Sequence, residues 1–286
     1  MMNVNTIKKI VSASALCGVV VFAGACNENT TDPVVTQPVS KGRAIFGVDG
    51  SGNLIRFGAE TPGVAAMTKL ITGLQGGEKI LGIDFRPKDG KLYGIGSGSR
   101  IYTIDTASGV ATVVGSGFTP AINGADIGWD FNPVADRLRL HTNDDQDLRL
   151  HPETGAIGAV DSILKYAAGD ANFNFNPTIT ATAYTNSDAD TNTKTTELFA
   201  IDANLDVLVK LASPNNGQLT TIGTLGVLTS NAAGFDIPVN TGIAYAALSS
   251  GTGGSSLYTI DLATGKATLI GTILSSSALV GIAVAP

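Results

Sequence analysis

Three aspartates stand at one recurring place in the sequence. They are Asp84 in Gly82-Ile83-Asp84-Phe85-Arg86-Pro87, Asp130 in Gly128-Trp129-Asp130-Phe131-Asn132-Pro133, and Asp236 in Gly234-Phe235-Asp236-Ile237-Pro238. Two further copies, Asn172-Phe173-Asn174-Phe175-Asn176-Pro177 and Gly281-Ile282-Ala283-Val284-Ala285-Pro286, carry Asn174 and Ala283 at the acid's place. If the five copies surround one channel, a pair of these carboxylates could act as general acid and base on a glycosidic bond. The competing reading is that each acid accepts hydrogen bonds from the turn of its own repeat. A residue shared by the repeats is explained more simply by their construction, so the second reading is favoured and no catalytic residue is assigned.

The remaining reactive side chains are weighed in the same way. Asp105 and Asp261 end the two YTID segments before A-[ST]-G turns, whose backbone N–H groups a carboxylate can bind. Asp188, Asp190 and Asn192, with Glu197 nearby, resemble the start of a calcium loop. Thr193 stands where that loop needs Gly and Phe199 where it needs Glu, so a polar loop is the expectation and these three are weak metal candidates. Asn143-Asp144-Asp145-Gln146-Asp147 is a second acidic turn. The only two histidines, His141 and His151, could share a metal with Asp144 or Asp145, but a third firm ligand is missing. Gly94-Ile95-Gly96-Ser97-Gly98 lacks the Ser of a nucleophile elbow, and the Gly-rich stretches lack the Lys of a phosphate loop. Arg86, Arg137 and Arg139 are expected to pair with acids such as Asp136. Trp129 aligns with Ile83, Phe173, Phe235 and Ile282, a series that describes packing.

The elements that carry these residues recur as well. IYTIDTASGVATVVG at 101–115 returns as LYTIDLATGKATLIG at 257–271, with nine of fifteen residues identical. The aspartate motif recurs at spacings of 46, 44, 62 and 47 residues. Each unit reads as four short strands with turns between them, as in LGIDF, KLYGIG, RIYTID and VATVVG, and helical periodicity is absent over 43–286. Four strands per period of this length describe a β-propeller blade. The predicted fold is therefore all-β, a five-bladed propeller. Its first unit has three strands, and the C-terminal GIAVAP supplies the fourth and closes the ring. Unit four is longer than the others, and its excess is assigned to the loop 185–196.

GIDFRP, LYGI, IYTIDTASGVATVVG, WDFNPVADRLRL, LRLHPETGAI, SPNNGQLTTIGTLGV and LYTIDLATGKATLIG together resemble the DUF4394 family of bacterial exported proteins. The resemblance spans essentially 43–286. It implies no activity and no catalytic residue, because none is established for the family.

The N-terminal residues have a different character. Lys8 and Lys9 precede an apolar run, Ile10 to Ala25, that is too short and too rich in Ser and Gly to span a bilayer. Residues 1–25 read as a signal peptide. Phe22-Ala23-Gly24-Ala25-Cys26 resembles a lipobox, with Ala23 where Leu is commonest, and makes Cys26 the expected lipid-attachment site. Residues 26–42 then form the anchor and a polar tether. Asn27 after the cysteine favours the outer membrane of a Gram-negative envelope. Loss of Lys8 and Lys9 takes the formal charge from −6 to −8, and Cys17 leaves with the signal. Thiolate chemistry and internal disulfides are thereby excluded. A pI near 4.8 excludes nucleic acid as a partner. The expected partners are the membrane, through the lipid, and an envelope polysaccharide or protein, bound by rim loops with no cofactor beyond a possible calcium. The alternative is a glycan-active enzyme using the channel carboxylates.

Overall fold

Runs such as ILGIDF and AYAAL are apolar on both faces, as befits strands covered on both sides by other sheets. The computed structural model describes residues 38–189, 194–239, 242–251 and 253–286. Signal, lipobox and Cys26 lie outside the described residues. Five antiparallel sheets form a five-bladed β-propeller. Blade one consists of Leu279–Val284, Ala44–Asp49, Asn53–Gly58 and Thr61–Leu70, from the axis outward. Blade two is Ile80–Phe85, Leu92–Gly96, Arg100–Ile104 and Ala111–Val114, and blade three Ile127–Asn132, Arg137–Thr142, Asp147–Leu150 and Ile157–Val160. Blade four runs Ile179–Tyr184, Leu198–Asp202, Val207–Ser213 and Gln218–Thr224, and blade five Ala233–Asp236, Ala244–Leu248, Ser256–Ile260 and Ala267–Thr272. The C-terminal strand pairs with the first, Ile45 opposite Val284 and Gly47 opposite Ile282, so the ring closes within blade one as the sequence predicts.

Between blades the packing is apolar and contiguous. Ile95, Ile101, Trp129, Phe131 and Leu140 fill the space between blades two and three. Phe235, Ala246, Ile201 and Leu208 do so between blades four and five. At the axis five inner strands must converge, and bulk there would force them apart. The positions that converge are Gly82, Gly128, Ala181, Gly234 and Gly281. A Cβ on Gly234 would lie 2.6 Å from the backbone nitrogen of Ile282 in the next inner strand. One on Gly128 would collide with the Thr182 hydroxyl.

Blade four corrects the sequence reading in two places. Its inner strand is Ile179–Tyr184, so Ala183, and not Asn174, occupies the aspartate position. Asn172–Pro177 instead forms successive turns, with the Phe173 N–H donating to Asp170 and the Phe175 N–H to Asn172. The reason is local: these turns consume backbone groups that a strand would offer to Leu198–Asp202. The start of blade four also moves, because its inner strand begins at Ile179 and the residues before it belong to the connection from blade three. There Lys165–Tyr166 adds a short fifth strand, parallel to Gln218–Thr224, on the blade's outer edge.

Candidate functional site

Asp84, Asp130 and Asp236 sit near the ends of three inner strands, and the ring brings them together. Each is at most 5% exposed, and one carboxylate oxygen from each lies within 4.8 Å of the others. Among the described residues no other group of three acidic, histidine or cysteine side chains converges in this way. The expectation that each acid serves its own turn is replaced by a bond that joins blades. Asp84 Oδ2 accepts from the Phe131 N–H of blade three at 2.8 Å, and its Oδ1 from its own neighbour Phe85 at 2.7 Å. Asp130 Oδ1 accepts from Tyr184 of blade four at 3.2 Å, and Asp236 Oδ2 from Val284 of blade one at 2.6 Å. Each acid thus ties its blade to the next around the ring. Ala183 and Ala283 have no side chain that could do the same.

Electrostatics sets the protonation of this cluster. Burial, reinforced by the charge of Asp236, holds the Asp84 carboxyl well above the ordinary aspartate range. Burial does the same to Asp130, with Asp84 and Asp236 adding to it. Burial pushes Asp236 up to about 6 against the opposing hydrogen bonds from Val284 and Ile237. Burial at the axis therefore favours the protonated forms of Asp84 and Asp130, while Asp236, at about 6, gives up its proton below neutral pH and its charge reinforces theirs. The three converging oxygens could face a hard cation, but calcium takes roughly six to eight oxygen ligands, so one oxygen from each acid leaves the shell incomplete.

The arrangement does not suit a glycosidic bond. Beside Asp84 and Asp236 lies a space of about 20 Å³, also lined by Arg43, Ser187, Pro238 and Val284 among the described residues. That space holds about one water molecule. Paired glycosidase carboxylates stand roughly 5 Å or more apart, whereas one oxygen from each of these acids lies within 4.8 Å of the others.

The other candidates separate. Asp105 Oδ1 accepts from the N–H groups of Ala107 and Ser108, and Asp261 from that of Ala263, so both serve turns. Arg86 forms a fork to Asp136, at 2.7 and 2.5 Å, and reaches Glu153 at 2.9 Å, linking blades two and three. Arg137 donates to the carbonyls of Ala135 and Asp136. Asp190 and Asn192 lie outside the described residues. Asp188 donates its N–H to Asn186, and Glu197 is held by Lys210 at 2.5 Å. Trp129 is buried in the core between blades two and three, as its alignment predicts. Phe173 is half exposed and does not belong to that series.

The histidines part company. His151 closes the turn 151–156 through its backbone, while His141 is fully buried with Nδ1 2.9 Å from Thr182 Oγ1 and Nε2 3.5 Å from Asp147 Oδ1. Asp147, His141 and Thr182 thus stand in the order of an acid, a base and a hydroxyl. Thr182 is buried, at 1% exposed, and packs at the axis beside Gly128. Around them Arg139 binds Asp147 at 2.6 Å, Asp161 at 2.8 Å, the Tyr184 hydroxyl at 3.0 Å and Asn215 at 2.7 Å. This is a polar core between blades three and four. Part of it can be read from the sequence, because a hairpin around the acidic turn pairs His141 with Asp147. Thr182 and Asn215 come from another blade and leave no local signal.

With this geometry in hand, the sequence over residues 53–283 matches the family described as domain of unknown function DUF4394. The chain belongs to that family. No curated protein matches it. Among solved structures it is similar to a chain in the nidogen/laminin complex, at 15% identity and a TM-score of 0.48, covering 86% of this chain and 99% of that one. A structural genomics protein of unknown function from Bacteroides thetaiotaomicron gives 16% identity and a TM-score of 0.48, over 84% of this chain and 61% of that one. A putative 6-phosphogluconolactonase from Bacteroides uniformis gives 16% identity and a TM-score of 0.40, over 85% and 71%. Likeness at this level carries no function from one chain to another.

Proposed function

We propose that this DUF4394 protein is an exported, lipid-anchored binding module, tethered through Cys26 to the cell envelope and presenting its propeller rims to an envelope polymer or protein. One observation carries the reading: the one group of three acidic side chains whose oxygens meet within 4.8 Å, among the described residues, is buried and committed to joining blades. Recognition then falls to the rim loops, which are where propellers and other rigid scaffolds vary. No cofactor is needed for such a role.

Two measurements test it. Cys26→Ser releases the protein from the membrane fraction; continued membrane association of that variant defeats the anchor. The full chain incubated with isolated envelope polymers is depleted from solution without new reducing ends. New reducing ends that disappear in Asp130→Asn make it an enzyme instead. Absence of both polymer depletion and a crosslinked protein partner refutes the binding role.

A further inference from the structure

The segment Asn172-Phe173-Asn174-Phe175-Asn176-Pro177 has the residues of an inner-strand motif but none of its position. Seven of the nine phenylalanines among the described residues are at most 9% exposed. The two exceptions are Phe173 at 51% and Phe175 at 55%, both in this loop. Their exposure is imposed by an ordered scaffold. The Asp170 carboxylate accepts from the Asn172 N–H at 2.8 Å, the Thr221 N–H at 2.7 Å and the Thr221 hydroxyl at 2.8 Å. Asn172 Nδ2 donates back to Thr221 Oγ1 at 3.0 Å. These bonds fasten the loop to the outer strand of blade four, so a ligand meets a platform that is already formed.

The chemistry of the platform selects its ligand. No side chain from Ala171 to Pro177 is ionisable, and the carboxylates that meet the segment are occupied, Asp170 by Asn172 and Thr221 and Asp145 by Asn176. Asn174, exposed and between the two phenylalanines in the sequence, offers two donors and an acceptor. Apolar ring faces interleaved with neutral amides match the C–H faces and hydroxyls of a sugar. An anionic polymer finds no cation within residues 171–177 and meets a chain of formal charge −6. We propose that residues 172–177 form an aromatic platform for a neutral polysaccharide. The proposal rests on the binding role above and adds its site and ligand class.

The test uses the full chain with microcrystalline cellulose, chitin and an insoluble β-1,3-glucan, with polygalacturonate as the charged comparison. Wild type is depleted by at least one neutral polymer. Phe173→Ala/Phe175→Ala weakens that binding about tenfold or more at an unchanged melting temperature. Asn174→Ala weakens it by a smaller factor. Equal depletion of wild type and the double variant overturns the platform and leaves the binding role standing. So does binding confined to polygalacturonate, or capture of a protein partner with no polysaccharide bound. Failure to bind any polymer or protein overturns both.

Discussion

Replacing Asp236 by Asn separates the structural use of the axial acids from their electrostatic cost. The carboxamide oxygen still accepts the Val284 N–H, so the tie between blades five and one persists. What disappears is the penalty of ionising a buried carboxyl. An aspartate with an ordinary value of 3.8 that is raised to about 6 on folding binds more protons folded than unfolded. Its share of stability is therefore complete below pH 3.8, falls as the pH rises, and is gone above pH 6. The loss amounts to about 3 kcal/mol. Guanidinium unfolding of both proteins from pH 3.5 to 8 reads this directly. Their stabilities coincide at the acid end, and the Asn variant becomes more stable by about 3 kcal/mol above pH 6. Taking the difference between the proteins cancels groups such as Asp136, held low by Arg86, whose stabilising share is lost on acidification. A difference that does not change with pH, or a variant less stable at pH 8, refutes the account of the axis.

Two other substitutions probe the frame around the acids. Gly128→Ala drives a methyl into Thr182 on the neighbouring inner strand and should cost about 1–3 kcal/mol, read as a lower denaturation midpoint with an unchanged slope. Arg139→Met leaves Asp147 buried without its arginine, while Asp161 keeps its fork from Arg149 at 2.7 and 2.8 Å. It should cost about 3–5 kcal/mol, whereas the exposed-rim change Lys91→Ala should move the midpoint little.

Much of the architecture is local information. The alternation and turns of GIDF, LYGI and YTID dictate strands, their period dictates blades, and the orphan GIAVAP strand has a partner only in an incomplete first blade. The same logic fails at Asn172–Pro177. There the motif's residue types recur, but Asp170 and Thr221, the latter brought over from the outer strand of blade four, bind the segment into turns. A pattern of residue types cannot show that Asp170, two residues upstream, will take the Asn172 N–H while it is held by Thr221 from a distant strand.

The axial acids mark the boundary most clearly. Their equivalence is written in the sequence, since each follows a Gly and an apolar residue in its repeat. Their mutual distance, their protons and their bonds to the following blade depend on five strands meeting at one axis, which only ring closure brings about. Likewise His141 and Asp147 pair across one hairpin and are legible from its turn, whereas Thr182 joins them only because blade four packs against blade three. Short-range hydrogen bonding and side-chain alternation are properties of neighbouring residues, and the sequence determines them alone. Which groups share a dry interior is a property of the assembled ring, and there the tertiary structure decides.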